Sequence, residues 1–271
     1  MYKNTFGPKP NCPLATSVEP SYNYGTIVIG GPCAIESPRQ IETIFAAIAP
    51  EVTHFRGGVF RAGTYPGANW GWQWDLLKEY HAAAVAFGKP NIVDVLDFRD
   101  LDKIEPYADV FQIGTRQAQH YALLKELGKQ SKPVILKRGT WEKLSETMGS
   151  LEYLLQGGNR NIIICERGSV TFLDHVRWDI SFSLIAKMKQ LTKFPVIVDA
   201  SHGTGDRTLV EPLTMAGMAA GADGCLVECH YSPSESMSDA EQAVSLDEFK
   251  RIVRKAKAIQ HIAKQPSDLE L

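Results

Sequence analysis

No stretch of the 271 residues stays apolar long enough to cross a membrane; runs such as 162–165 and 195–198 fall far short of the ~18–20 residues that a span needs. Neither sign of charge is in excess. Twenty-nine Lys+Arg against 31 Asp+Glu leave a net charge of −2, which excludes a general binder of nucleic acid or of anionic membrane. The opening residues, MYKNTFGPKPNCPL, lack the apolar core of a signal sequence, so a cytoplasmic location is expected. Cysteine is sparse and odd in number. Cys12, Cys33, Cys165, Cys225 and Cys229 stand in or beside apolar runs, a pattern of a reducing compartment and not of a disulfide framework. No Gly-x-Gly-x-x-Gly follows the first β-rich run and there is no Walker loop, which argues against dinucleotide and P-loop folds.

What is present is alternation. Residues 1–25 hold several prolines and no periodicity, and read as an extended N-terminal arm. From residue 26 onward, eight short β-rich runs follow one another: 26–30, 53–60, 91–96, 110–113, 133–136, 161–165, 195–198 and 224–228. Between them lie stretches with helical spacing, such as Ile41, Ile44, Phe45, Ile48 and Leu144, Met148, Leu151, Leu154, Leu155. Ser37-Pro38 reads as a helix N-cap with proline at the first turn, and Gly88, Gly128, Gly157 and Gly221 read as glycines just past helix ends. Apolar runs without alternation are buried on both faces, as in a parallel sheet covered by helices. Eight such units in ~250 residues predict an α/β fold, a single (β/α)8 TIM barrel over 26–271 with the short arm before it. A doubly wound open sheet is the alternative.

A barrel carries its chemistry at the C-terminal ends of its strands. Cations collect there: Arg61, Arg116, Lys137, Arg138, Arg167 and Arg207, with Thr64 and Glu166 among them. Like charges in one cleft repel, and a multiply charged anion would relieve them, since Arg forks match phosphate and carboxylate oxygens. The competing reading is a solvated rim, or pairing with Glu166, Asp97 and Asp199. Cys33, His202, Glu228 and Asp239 also fall at strand ends or in the loops after them. Thiolate, imidazole and carboxylates together suit a divalent ion such as Mn, Fe, Zn or Co. Taken singly, Cys33 reads equally as a buried apolar cysteine and Asp239 as a helix cap.

At these residues the sequence resembles a known family. GPCAIES (31–37), QIGTR (112–116), LKRG (136–139), CERG (165–168), DASHGTGDR (199–207) and GADGCLVECHYSPSESMSD (221–239) are similar to motifs of the 3-deoxy-7-phosphoheptulonate (DAHP) synthases. The resemblance is to the short microbial type related to 3-deoxy-octulosonate 8-phosphate synthase, and covers roughly 26–263. It implies a catalytic barrel and a metal site of Cys33, His202, Glu228 and Asp239. It implies a phosphoenolpyruvate pocket of Arg116, Lys137 and Arg167, with Lys137 also a candidate acid. The implied catalytic residues are Lys137, His202 and Cys33. The implied reaction condenses phosphoenolpyruvate with an aldose phosphate, erythrose 4-phosphate in the DAHP synthases, at the entry to aromatic amino acid biosynthesis. A homo-oligomer, dimer or tetramer, is implied as well.

One segment departs from the family pattern. Where Lys-Pro-Arg-Thr-Ser is usual, this chain has Arg61-Ala62-Gly63-Thr64-Tyr65, so the arginine that clasps the acceptor phosphate becomes Gly63. By strand order, Arg138 or Arg207 is the nearest substitute. Trp70, Trp72 and Trp74 follow, and either line an altered acceptor pocket or cap the barrel or an oligomer interface. The alternatives to a DAHP synthase are a same-fold enzyme using another aldehyde, a binding protein without turnover, and a metal hydrolase. The last leaves so many cations unexplained.

Overall fold

The computed structural model describes residues 12–22, 25–61 and 71–264. Its strands are β1 (Ile27–Gly31), β2 (His54–Arg56), β3 (Phe60–Arg61), β4 (Gly71–Trp72), β5 (Asn91–Asp94), β6 (Val110–Ile113), β7 (Val134–Lys137), β8 (Ile162–Glu166), β9 (Val196–Asp199) and β10 (Gly224–Glu228). Eight of them close into a parallel barrel in the order β1-β10-β9-β8-β7-β6-β5-β2, with β1 pairing to both β10 and β2. The expected open-sheet alternative is therefore set aside. The helices are α1 (Pro13–Ser17), α2 (Pro38–Ile48), α3 (Trp74–Ala86), α4 (Leu101–Ile104), α5 (Tyr121–Gly128), α6 (Leu144–Gln156), α7 (Phe182–Leu191), α8 (Ala200–Thr204), α9 (Arg207–Ala219) and α10 (Leu246–Lys264).

Alternate strand residues sort into two cores. Ile27, Ile29, Ile92, Val110, Ile135, Ile163, Ile197 and Leu226 pack together in the barrel interior. Their neighbours Val28, Phe55, Phe111, Leu136, Ile164 and Val198 join the larger core beneath the helices. Removing that much apolar surface from water is the main driving force for closure. No described helix is long and apolar enough to cross a membrane.

Three local expectations need correction. The second run, 53–60, is not one strand. β2 ends at Arg56, and after Gly57 and Gly58 the chain turns into an antiparallel pair, β3 with β4. Gly58 instead pairs with the loop after β1: its N–H donates to Cys33 O at 3.0 Å and its carbonyl accepts from Ile35 N at 2.8 Å. The stretch before residue 26 is not wholly extended, because α1 docks on α6, where Glu152 accepts from Leu14 N and Ala15 N. Gly88 and Gly221 have the left-handed φ expected past a helix end, but Gly128 and Gly157 serve close approach: a Cβ on Gly157 would lie 2.4 Å from the Gly128 carbonyl carbon. Ser37 caps α2 as expected, accepting from Gln40 N.

His54 in β2 is 8% exposed, and burial holds its imidazole down at about 4, with Lys89 acting the same way and Asp109 opposing. Between the ordinary histidine value of 6.5 and about 4, the unfolded chain binds a proton that the folded chain does not. Folding stability is therefore expected to fall as pH drops through that window, by on the order of 3 kcal/mol from this group. Urea unfolding of the parent and of His54→Gln at pH 7 and near pH 4 checks it. An equal pH dependence in both proteins would count against the assignment.

Candidate active site

The C-terminal strand ends open into a cavity of about 580 Å³. Its wall includes Cys33, Arg56, Arg116, Lys137, Arg167, Arg177, His202 and Asp239. The barrel register explains the convergence, since Arg56, Lys137, Asp199 and Glu228 are each the last residue of a strand, while Cys33, Arg167 and His202 come within three residues of one.

Four of these residues form the anionic end. Cys33, Glu228 and Asp239 bring ligand atoms within 4.8 Å of one another. Cys33 Sγ lies 3.0 Å from Asp239 Oδ2, and His202 Nε2 lies 3.1 Å from Glu228 Oε1. His202 is placed by Asp199, whose carboxylate accepts from His202 N and lies 2.8 Å from Nδ1. That pairing leaves Nε2 to face Glu228, the arrangement found when a carboxylate orients a metal-binding imidazole. Asp239 has φ +48°, the one non-glycine with positive φ among the described residues. Burial pushes the Cys33 thiol up, and Glu228 and Asp239 push it further. Burial alone would pull His202 down, but Asp199 and Glu228 outweigh it and hold the imidazole up. Burial would raise Glu228, yet His202 and Arg56 keep it well below the usual carboxylate range. Soft sulfur and two carboxylates at this spacing, with the His202 imidazole against Glu228 just outside that spacing, fit a divalent transition metal.

The cationic end is better ordered than a list of charges suggests. Lys137 Nζ is 2.9 Å from Asp199 Oδ2, so Asp199 ties the lysine and the histidine together. Arg167 Nη2 donates to His202 O at 3.0 Å, and its guanidinium lies 5.7 Å from the centre of the Trp178 ring. Arg116 lies on the 3₁₀ turn after β6 and lines the cavity. Gly63, Thr64, Tyr65 and Trp70 lie outside the described residues, as do the side chains of Arg61 and Trp72. Trp74 packs against the core and is not part of the cavity wall.

Three expected contact residues belong elsewhere. Arg138 is 1% exposed and pairs through Nε and Nη2 with Glu166, while Nη1 donates to Gly139 O and Glu142 O and Nη2 also to Ser169 Oγ. Glu166 in turn accepts from Gly168 N. Strand alternation is the cause: Lys137 faces the cavity, so its neighbour Arg138 faces away. Arg207 sits at the start of α9 and donates through Nη2 to Ala240 O at 2.6 Å, holding the loop that carries Asp239. None of the three lines the cavity.

Two residues escaped the sequence reading. Arg56 falls inside the 53–60 run; it is 4% exposed, donates to Pro32 O at 2.7 Å and pairs with Glu228. A charged residue inside an otherwise apolar run was the available signal. Arg177 lies in GSVTFLDHVRWD (168–179), a loop without periodicity, and carried no such signal.

The cavity also gathers unmet hydrogen bonds. Arg56 Nε, Gln112 Oε1, Glu142 Oε1, Arg167 Nη1 and Ser238 Oγ are buried side-chain atoms without a hydrogen-bond partner among the described residues, and all five residues line it. An unsatisfied buried polar atom costs roughly 1–3 kcal/mol, so this wall is built to receive polar groups.

Comparison with known proteins agrees with that chemistry. Over 233 residues the chain is 36% identical to the phospho-2-dehydro-3-deoxyheptonate aldolase of Thermotoga maritima, covering 86% of this chain and 69% of the relative. Over 275 residues it is 26% identical to the 2-dehydro-3-deoxyphosphooctonate aldolase of Geobacter sulfurreducens, covering 88% and 93%. A solved truncated form of the T. maritima 3-deoxy-D-arabino-heptulosonate 7-phosphate synthase superposes with a TM-score of 0.80 at 34% identity, covering 88% of this chain and 87% of that one. Residues 20–265 match the DAHP synthetase I family, a span that takes in every strand of the barrel and every site residue named above, and the chain belongs to that family.

Proposed function

We propose that this protein condenses phosphoenolpyruvate with erythrose 4-phosphate to give 3-deoxy-7-phosphoheptulonate and phosphate. The observation that carries the reading is the cavity wall, where buried unpartnered donors on Arg56 and Arg167 stand with Lys137 and Arg116 beside the thiol and carboxylate cluster of Cys33, Glu228 and Asp239, with the His202 imidazole against Glu228. Family membership adds that the chain is an enzyme of phosphoenolpyruvate-dependent carbon–carbon bond formation. C3 of the enol bonds to the aldehyde carbon, whose oxygen takes a proton. Water adds at C2, the C2–O bond to phosphorus breaks, and phosphate leaves. Arg116, Lys137 and Arg167 bind the carboxylate and phosphate of phosphoenolpyruvate, fixing C3 toward the aldehyde. Lys137, paired with Asp199, also serves as the proton donor. Cys33, His202, Glu228 and Asp239 would hold a divalent metal, which supplies Lewis-acid polarisation of the aldehyde. A reducing, cytoplasmic setting keeps the Cys33 thiol free, and all five cysteines are unpaired.

The test is phosphate release from phosphoenolpyruvate with Mn²⁺ and a panel of erythrose 4-phosphate, arabinose 5-phosphate and free erythrose. Release is expected only when an aldose is present, fastest with erythrose 4-phosphate, and lost on chelation. Release without any aldose would make the protein a hydrolase, and no release at all would favour a binding protein.

A further inference from the structure

Binding two anions in one cavity needs two separate sets of donors. Of the cations lining it, Arg56, Lys137 and Arg167 stand at or beside strand ends, and Arg116 follows β6. Arg177 is different. It comes from the loop between β8 and α7, and it shares a wall with Asp239. Its backbone N–H donates to Thr204 O at 2.9 Å. Its stem lies against Gly205, where φ is +68° and an added Cβ would sit 3.1 Å from Arg177 Cβ. The turn before α9 therefore combines a backbone that favours glycine with a groove for this side chain.

The guanidinium is not consumed by that packing. Its ionic contact among the described residues is Nη1 to Asp239 Oδ1 at 3.8 Å, too long for a hydrogen bond. The other Asp239 oxygen is taken up with Cys33. The residue before Asp239 adds an independent observation: Ser238 is 3% exposed, lines the same cavity, and its Oγ has no partner among the described residues. A guanidinium fork and an unpaired hydroxyl on one wall make a phosphate receptor. Arg138 and Arg207, the substitutes expected from strand order, are committed elsewhere.

We propose that Arg177 and Ser238 form the subsite that takes the terminal phosphate of the acceptor aldose. The assignment rests on the condensation reading above. The aldehyde end of the acceptor then meets the Cys33–His202–Glu228–Asp239 cluster, and its charged end turns toward the β8–α7 loop.

The test separates this subsite from the reaction itself. Binding of erythritol 4-phosphate and of erythritol, neither of which can react, is measured by calorimetry on the parent, Arg177→Met and Ser238→Ala. KM values for phosphoenolpyruvate and for each aldose, and metal content, are measured alongside. Arg177→Met is expected to weaken erythritol 4-phosphate about 20-fold while changing the KM for phosphoenolpyruvate by less than about twofold and leaving metal content intact. Arg177→Lys is expected to recover part of the loss, and Ser238→Ala to show a smaller loss of the same kind, which keeps the assignment testable if Arg177→Met does not fold. Equal binding of erythritol 4-phosphate by the parent and by both Arg177→Met and Ser238→Ala would overturn the subsite while leaving the condensation reading in place. A parent that releases no phosphate with any aldose would overturn both.

Discussion

Cys33→Ala is expected to lose its bound divalent metal and to release phosphate more slowly by on the order of 10³-fold or more, since loss of a mere outer-sphere partner already costs about 10–100-fold in metal affinity. Cys33 is the soft donor in a set otherwise made of nitrogen and oxygen, with its sulfur 3.0 Å from Asp239 Oδ2. Alanine there removes that donor and leaves the two carboxylates with their separate partners, Arg56 and His202 on Glu228 and Arg177 on Asp239. Metal analysis of the purified variant, beside phosphate release with and without chelator, reads both consequences. Cys225→Ala is the control, since Cys225 is a core thiol in β10 whose loss removes packing and no ligand. Parent-like turnover of Cys33→Ala in strong chelator would sink the metal assignment.

The second large effect belongs to Arg167. Only 6% of it is exposed, one nitrogen donates to His202 O, and Nη1 has no partner among the described residues. Burial pulls this guanidinium below its ordinary range, with Asp199 opposing the shift and Arg177 adding to it. Such a cation gains most from an anionic ligand. Removing a buried charge-assisted contact costs about 2–4 kcal/mol, so Arg167→Ala should raise the KM for phosphoenolpyruvate by roughly 30- to 1,000-fold. The KM for the aldose should move much less. Arg167→Lys should recover only part of the binding, because an ammonium cannot fork two oxygens. A phosphoenolpyruvate titration that matches the parent's would remove Arg167 from the pocket.

The barrel was legible because its signal is repeated: eight apolar runs, each separated by helical spacing, admit few other arrangements. The metal-ligand candidates were legible only through motif resemblance, since Cys33 and Glu228 are 195 positions apart and no local spacing joins them. What strand order could not give was side-chain direction. Lys137 and Arg138 are neighbours in sequence, yet one faces the cavity and the other is locked to Glu166 behind the wall. Arg56 was hidden by a misjudged strand end, which only the Gly58 pairing with the β1 loop reveals. Arg177 was hidden because an irregular loop has no period from which to place a side chain.

The pairing of β1 with both β2 and β10 also dictates when this molecule can be finished. A parallel sheet that ends in mid-barrel carries two rows of unpaired backbone groups, open to pairing with another chain. The register partner of Ile27 is Gly224, so those rows stay open until nearly the whole catalytic sequence has left the ribosome. The contacts that seal the ring are thus the most distant strand pairings of the barrel and carry the largest loop-closure cost among them. The finished enzyme has no barrel edge to protect, whereas the growing chain has two edges for most of its synthesis. Its hazard is kinetic, and it falls in the roughly 10–40 seconds of synthesis before the last strand arrives.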